Sequence, residues 1–355
     1  MISLDQGVRP PGLVVLFGSG EIAPSGRKVH DWVMRQLSLP IRVAIIETPA
    51  GFQPNSDVVA GKMAEFVSHS LQNYDPQVTV IPARKRGTPF SPDEPEIVAP
   101  LLQANYIFWG PGSTTYAVRQ LEGSLAWHLM VARHRLGAAI VMASAAAIAS
   151  GSHTLPVYEI YKVGSDLHWI EGLDLFGAYG LSLAIVSHWD NTEGGAELDT
   201  RYGFMGRARC EELVAMLPGE VTVVGIDEHT ALVLDLEAAT CQVMGKSTVT
   251  LIRNGREKQY PTGEEFAVVE LGPFRLPASE EGIPQDIWEQ ALAADSALSE
   301  ELTIEPPPEV LSLVESRQAA RKRQDWATSD ELRDRIAALG WQVSDTPSGP
   351  EMVPM

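Results

Sequence analysis

The sequence predicts an α/β protein built on a mostly parallel sheet, with an antiparallel extension and a small helical module at its C-terminal end. Three observations predict it. Short apolar runs recur along the first half, as strands covered on both faces require. Longer amphipathic stretches separate them, which is the strand–helix–strand rhythm of crossover connections. The runs end in glycine-bearing turns, at the carboxyl ends of strands where such folds place their functional crevice.

The elements follow in order. Leu13–Phe17 runs into Gly18-Ser19-Gly20, and Arg42–Ile46 runs into Glu47-Thr48-Pro49-Ala50-Gly51. Val78–Ile81 comes next, then Tyr106–Trp109 before Gly110-Pro111-Gly112, then Ala138–Met142. Helices are expected over Val58–Leu71 and Tyr116–Arg135. From Val221 to Leu271 short β-branched runs alternate with turns, Asn254-Gly255 being the strongest turn signal, and this reads as an antiparallel meander at one edge of the sheet. Gly18-x-Gly20 is no dinucleotide fingerprint, because position 23 is Ala and the third glycine is missing.

Ser279 to Glu309 holds nine acids and no Lys or Arg and ends in Pro306-Pro307-Pro308. It reads as an acidic linker in which Ile287, Trp288, Leu292 and Leu298 allow a short helix, and the prolines end it. The expected organisation is a main domain over 1–275, a linker over 276–308 and a helical module over 309–355. In the module, Val310–Gln324 reads as one helix. Thr328 and Glu331 form a capping box for a second helix, whose Leu332, Ile336 and Leu339 share a face and which Gly340 stops.

Composition narrows the function classes. The 355 residues are 45% hydrophobic and carry a formal charge of −19, which argues against broad non-specific binding to nucleic acid or anionic membrane. Cys210 and Cys241 make no disulfide framework, and a reducing, cytoplasmic setting is expected. No signal peptide is expected at the start. The longest apolar stretch, Gly137–Ser150, is shorter than the roughly 20 residues that span a bilayer. The eight histidines form no HxxxH pair, so neither a metal nor another cofactor is expected.

The segment that carries chemistry is Val141-Met142-Ala143-Ser144-Ala145-Ala146-Ala147. A buried strand ends, one serine follows, and small residues open a helix, which is the layout of a nucleophile elbow. His188 follows the run Leu183–Val186, and Asp227-Glu228 follows Val221–Gly225. A serine, a histidine and a carboxylate at strand ends can converge: the histidine takes the serine proton and the carboxylate fixes its tautomer. The turn Gly110–Ser113, with the N–H of Ala145, offers donors for an oxyanion. The plain alternatives are a structural His188, ordinary turn acids at 227 and 228, and solvated charges at Arg201, Arg207 and Arg209. The sharper reading gives one of those arginines, with Arg201 and Ser113 as the substrate-binding candidates, to a substrate carboxylate.

Taken together, GSGE, ETPAG, FWGPGSTTYAVRQL, the Ala143-Ser144-Ala145 elbow and GIDEHTALVLD resemble the dipeptidase E and cyanophycinase group of serine peptidases, over roughly Gly12 to Leu271. The resemblance implies a flavodoxin-like three-layer fold related to class I glutamine amidotransferases. It implies Ser144 as nucleophile, His188 as general base, Glu228 as the acid with Glu159 as the other candidate, and Gly112 and Ala145 at the oxyanion hole. Where the group has glycines two residues either side of the serine, this chain has Met142 and Ala146. Met142 leaves the strand on the same side as Ser144 and is expected beneath the nucleophile, narrowing the pocket.

The module has its own resemblance. Glu315–Lys322, Asp325-Trp326, Ser329–Asp334, Leu339-Gly340 and Asp345–Gly349 are similar to the C-terminal segment of cysteinyl-tRNA synthetase. No HIGH-like or KMSKS-like sequence accompanies it, so aminoacylation is not expected. Three functions follow as expectations. The first is a serine hydrolase acting on a small peptide or isopeptide. The second is a non-catalytic binding or scaffold protein on the same fold. The third is an RNA-associated protein contacting tRNA through Arg317, Arg321, Lys322 and Arg323, with a protein partner for these helices as the variant.

Overall fold

A computed structural model describes residues 10–302, 306–346 and 349–354. The strands in chain order are β1 (Val14–Phe17), β2 (Arg42–Ile46), β3 (Gln77–Ile81), β4 (Tyr106–Trp109), β5 (Ala139–Ala143), β6 (His153–Thr154), β7 (Ile170–Glu171), β8 (Leu183–Val186), β9 (Thr222–Ile226), β10 (Thr230–Asp235), β11 (Thr240–Gly245), β12 (Thr248–Arg253), β13 (Arg256–Pro261), β14 (Glu265–Ala267), β15 (Trp341–Thr346) and β16 (Gly349–Pro354). The helices are α1 (Pro24–Met34), α2 (Ser56–Ser70), α3 (Pro95–Val98), α4 (Thr114–Leu121), α5 (Leu125–Arg135), α6 (Ala145–Ala149), α7 (Arg207–Met216), α8 (Gln285–Leu302), α9 (Pro308–Lys322) and α10 (Trp326–Ala338).

An eight-stranded sheet runs β14-β11-β10-β1-β5-β4-β2-β3. Pairing from β1 through β5, β4 and β2 to β3 is parallel, and β10, β11 and β14 extend it antiparallel beyond β1. Both faces are covered because alternate residues of one strand enter different cores. Val14 and Leu16 of β1 join Ile140 and Met142 under α4, α5 and α8. Val15 and Phe17 join Val141 and Ala143 under α1 and α2. Each fully buried Leu, Ile, Val or Phe in these layers contributes on the order of 1.5–3 kcal/mol.

Four expectations need correction. The meander is split: β9, β12 and β13 belong to a second, six-stranded sheet, β13-β12-β9-β8-β6-β7, while β10, β11 and β14 stay with the first. Val78–Ile81 is not buried on both faces, because β3 is an edge strand with alternate residues exposed. The stretch Tyr116–Arg135 is two helices, broken where Gly123 takes φ 60° and Ser124 caps α5 by accepting from the Trp127 N–H at 3.1 Å. The acidic stretch before the prolines holds α8, which packs on α5. Ile287 and Ala291 enter the main core and Asp295 turns inward to pair with Arg133 at 3.0 Å, while Asp286, Glu289 and Glu300 lie on the exposed face of a docked helix.

In the module, Val310, Leu313, Val314, Leu332 and Ile336 pack with Trp341 and Val343. The last two belong to the β15–β16 hairpin, which the helical reading missed. The cap of α10 is Asp325, accepting from the Thr328 N–H at 3.2 Å, in place of the expected capping box. Among the described residues, no helix is long and apolar enough to cross a membrane.

Candidate active site

Ser144 lies between β5 and α6 with φ 53° and ψ −114°, a region non-glycine residues rarely occupy. Such a conformation costs about 1–3 kcal/mol and persists only where the surroundings over-determine it. Here they do. The Ser144 N–H donates to the Phe17 carbonyl at 3.1 Å, and α6 is wedged against α4 and β8. Ala145, Ala146 and Ala147 are buried there, which is why the segment is written in small residues. Met142 is fully buried in the core layer under α4 and α5 and does not line the cavity at Ser144, so it does not narrow the pocket as expected.

His188 reaches the same place from the second sheet. Its N–H donates to the Gly18 carbonyl at 3.3 Å, and Ser187 Oγ donates to the carbonyls of Phe17 and Ser144, each at 3.3 Å. His188 also takes a positive φ, 54°. Its Nε2 is 2.9 Å from Ser144 Oγ and its Nδ1 is 2.8 Å from Glu228 Oε1. A carboxylate only accepts, so Nδ1 carries the proton and Nε2 is left to accept from the serine hydroxyl. The hydrogen bond from His188 holds the Glu228 carboxyl below its ordinary range.

Glu228 sits in the turn between β9 and β10. Its N–H donates to Asp190 Oδ1 at 2.6 Å, and Asn191 Nδ2 donates to the same Oε1 that faces His188, at 2.9 Å. The GSGE turn lets this loop approach: a Cβ on Gly18 would stand 2.1 Å from the Asp227 carbonyl oxygen. Asp227 is structural, accepting from Ser247 Oγ and the Thr248 N–H at 2.6 and 3.0 Å. Glu159, the other acid considered, lies in a π-helical turn, Glu159–Val163, with a buried Oε2 that has no hydrogen-bond partner.

A cavity of about 280 Å³ opens at Ser144 and is lined by Gly112, Ala145 and His188 among others. Ala145 opens α6, so its N–H has no partner within the helix. Gly112 admits no side chain, because a Cβ there would lie 1.9 Å from the Pro49 carbonyl oxygen. That carbonyl accepts from the Ser113 N–H at 2.9 Å, so the ETPAG segment buttresses the turn instead of entering the cavity. Ser113 caps α4, accepting from the Tyr116 N–H at 3.2 Å, and Arg201 is held by Asp199 at 2.8 and 2.9 Å. Neither of these substrate-binding candidates lines the cavity. Sequence reasoning missed Asn191 and the wall formed by Tyr158, Tyr161, Lys162 and Phe204. No local pattern marks these residues, because they converge only through the turns after β6 and β8.

Two parts of the chain are similar to known proteins. A crystal structure of a peptidase from an acI-B1 actinobacterium superposes with a TM-score of 0.58 at 21% identity, covering 72% of this chain and 97% of that one. The likeness establishes a shared fold for the main domain. At the other end, residues 305–349 match the family model of the cysteinyl-tRNA ligase anticodon binding domain. Cysteine–tRNA ligases of Methanosarcina acetivorans and Chlamydia felis are 52% and 46% identical over 48 and 50 residues, each 14% of this chain. The chain spans about a tenth of the length of those relatives, 10% in each case.

Proposed function

We propose that the main domain is a serine hydrolase that cleaves a peptide or isopeptide bond in a small substrate. One observation carries this reading: Ser144, His188 and Glu228 form an unbroken hydrogen-bonded relay at the wall of a cavity. Ser144 Oγ attacks the scissile carbonyl carbon while its proton passes to His188 Nε2. Glu228 stabilises the imidazolium that results. The carbonyl oxygen gains the negative charge and takes hydrogen bonds from the N–H groups of Ala145 and Gly112. His188 then gives its proton to the leaving nitrogen, the C–N bond breaks, and an acyl ester remains on Ser144. Water, deprotonated by His188, releases the acid and restores the serine.

The test is reaction of the full chain with a fluorophosphonate probe, which labels an activated serine. Wild type is expected to label, and Ser144→Ala and His188→Ala are not. A wild type that neither labels nor cleaves any member of a dipeptide and isopeptide panel would replace this reading with the non-catalytic binding protein.

A second reading concerns the module and is favoured by its match to an anticodon binding domain. It is proposed as a separable unit from about residue 309 that associates with tRNA. Loss of tRNA gel retardation on deletion of residues 309–355 supports it, and no retardation by the full chain refutes it. Nothing in this reading makes the chain a ligase.

A further inference from the structure

Of the three arginines singled out in the sequence, Arg201 is forked onto Asp199 and Arg207 reaches Glu211 at 3.6 Å. Arg209 is bound to backbone instead. From the first turn of α7 its Nε and Nη2 donate to the carbonyls of Met205 and Phe204 at 2.6 and 3.1 Å. The turn it holds is strained. Tyr202, Gly203 and Phe204 take φ of 61°, 65° and 70° in succession, a region in which a bulky side chain is an outlier. Such conformations persist only where the surroundings over-determine them, and they gather at functional sites. Here the Tyr202 N–H donates to the Trp189 carbonyl at 2.8 Å, the Gly203 N–H to the His188 carbonyl at 3.2 Å and the Phe204 N–H to the Thr200 carbonyl at 3.0 Å. Gly203 lies close against the end of β8, where a Cβ on it would stand 3.0 Å from Val186 Cγ1. The turn is thereby folded back on the segment that carries His188. It sets the place of one ring: Phe204 lines the cavity and packs on the His188 ring at 5.4 Å between centroids, with 50° between the planes. Tyr161 packs on Phe204 in turn, also at 5.4 Å.

The two hydrogen bonds of His188 leave a freedom that this contact removes. They attach at Nε2 and Nδ1, so they define a line through the imidazole without fixing its tilt about that line. A tilt bends both bonds away from their donors and acceptors and weakens them. Only packing against a ring face resists it. We infer that Phe204 is a positioning residue for His188: its ring, held by the turn 202–204 and the fork of Arg209, sets the tilt that keeps the imidazole on Ser144 and Glu228. The inference rests on the hydrolase reading and adds what holds the base in its reactive orientation between one proton transfer and the next. A strained turn suits the task, because a ring carried on an over-determined backbone does not drift with the loop around it. Misplacement of a reacting group by about 1 Å is enough to cost about 100-fold in rate.

The test reads orientation apart from fold and apart from turnover. In the full chain, the His188 Nδ1–H held by Glu228 is expected to give a downfield proton resonance in water, assigned by its absence from His188→Ala. Phe204→Ala should lose this resonance to solvent exchange, and its rate of fluorophosphonate labelling should fall about 100-fold. Phe204→Leu covers the same ring face and should recover most of both. Arg209→Met keeps the ring but frees the turn, and should weaken both readouts without abolishing them. The amide spectrum shows whether each variant is folded; if Phe204→Ala is not, Arg209→Met decides in its place, and an unchanged resonance and rate there overturn the inference. It is equally overturned by a wild type without the resonance, by a Phe204→Ala protein that keeps it and labels at the wild-type rate, or by a Phe204→Leu protein as impaired as Phe204→Ala. Labelling of the wild type judges the hydrolase reading separately. A wild type that labels, with both readouts indifferent to Phe204, removes this inference alone. A resonance that depends on Phe204 in a protein that does not label removes hydrolysis alone.

Discussion

Glu228→Gln asks what the carboxylate contributes beyond geometry. In the usual amide substitution of such an acid, the side chain can turn its NH₂ toward the imidazole, force the wrong tautomer and cost about 10⁴ in rate. Here the position of Oε1 is defined twice, by His188 Nδ1 at 2.8 Å and by Asn191 Nδ2 at 2.9 Å, and both are donors. A glutamine would meet two N–H groups and present its carbonyl oxygen, preserving the tautomer. What is lost is the negative charge beside the imidazolium. Two unit charges about 4 Å apart interact by about 4 kcal/mol at an effective dielectric of about 20. The His188 and Glu228 side chains are 20% and 29% exposed, so solvent screening leaves roughly half of that. About 2 kcal/mol corresponds to a rate loss of about 30-fold. Glu228→Ala removes orientation as well and is expected to cost about a thousandfold or more. The assay is the second-order rate of fluorophosphonate labelling. A Glu228→Gln protein within about threefold of wild type would mean that the carboxylate charge does not stabilise the imidazolium, by the same conversion. One as slow as Glu228→Ala would mean that Asn191 does not fix the amide.

Three further outcomes follow from the geometry. Gly112→Ala puts a methyl on the Pro49 carbonyl and should displace the turn, lowering the labelling rate about 100-fold while far-ultraviolet circular dichroism stays unchanged. Asp295→Ala strips a carboxylate from Arg133, whose side chain is 4% exposed, and should lower the urea unfolding free energy by about 3 kcal/mol or more, with Arg133→Met in the same chain recovering most of it. His30 and His134 are fully buried and held neutral, their pKa values pushed down to about 4 and about 3 by desolvation. The unfolded chain takes up these protons from about pH 6.5 and the native state does not, so stability is complete above that pH and falls as pH is lowered through this window, by at most roughly 3 kcal/mol for His30 and roughly 5 kcal/mol for His134. Replacing His30 by Gln should remove about half of the fall in urea midpoint between pH 6.5 and 4, the interval set by its pKa in the two states, leaving the share of His134.

The sequence was legible where a single local pattern decides the outcome. Four apolar runs and their turns were enough for β1, β2, β4 and β5 of the parallel half of the large sheet, because a strand buried on both faces has to be apolar throughout, whereas β3 was placed correctly but lies half exposed at the edge. Ser144 was legible because an elbow needs small neighbours, and His188 and Glu228 because both follow buried strands. The register between distant elements was not legible. Nothing in Leu183–Val186 says that it joins a second sheet, yet that switch aims His188 at the end of β5. The misplacement of Met142 has the same origin. Alternation gave its side of the strand correctly, and α4 and α5 turned that side into closed core. Acids at every few positions hid α8, since its apolar residues mark only one stripe, which faces α5.

The two halves of the chain meet at a place that constrains how they can work together. Gln342 at the start of the terminal hairpin is buried and donates to the carbonyls of Tyr74 and Asp75, both at 3.1 Å. Arg333 of α10 approaches Asp75 at 3.8 Å. Those two carbonyls immediately precede β3, at the amino ends of the parallel strands, whereas Ser144 follows the carboxyl end of β5. The module is therefore docked at the end of the sheet opposite the cavity. It neither covers the mouth at Ser144 nor lends it a side chain, and a molecule bound to the exposed face of α9 or α10 leaves the cavity open. The Gln342 contacts at Tyr74 and Asp75 are made to backbone carbonyls, which side-chain substitution there does not alter, whereas the Arg333 contact is made to the Asp75 carboxylate and is lost with it.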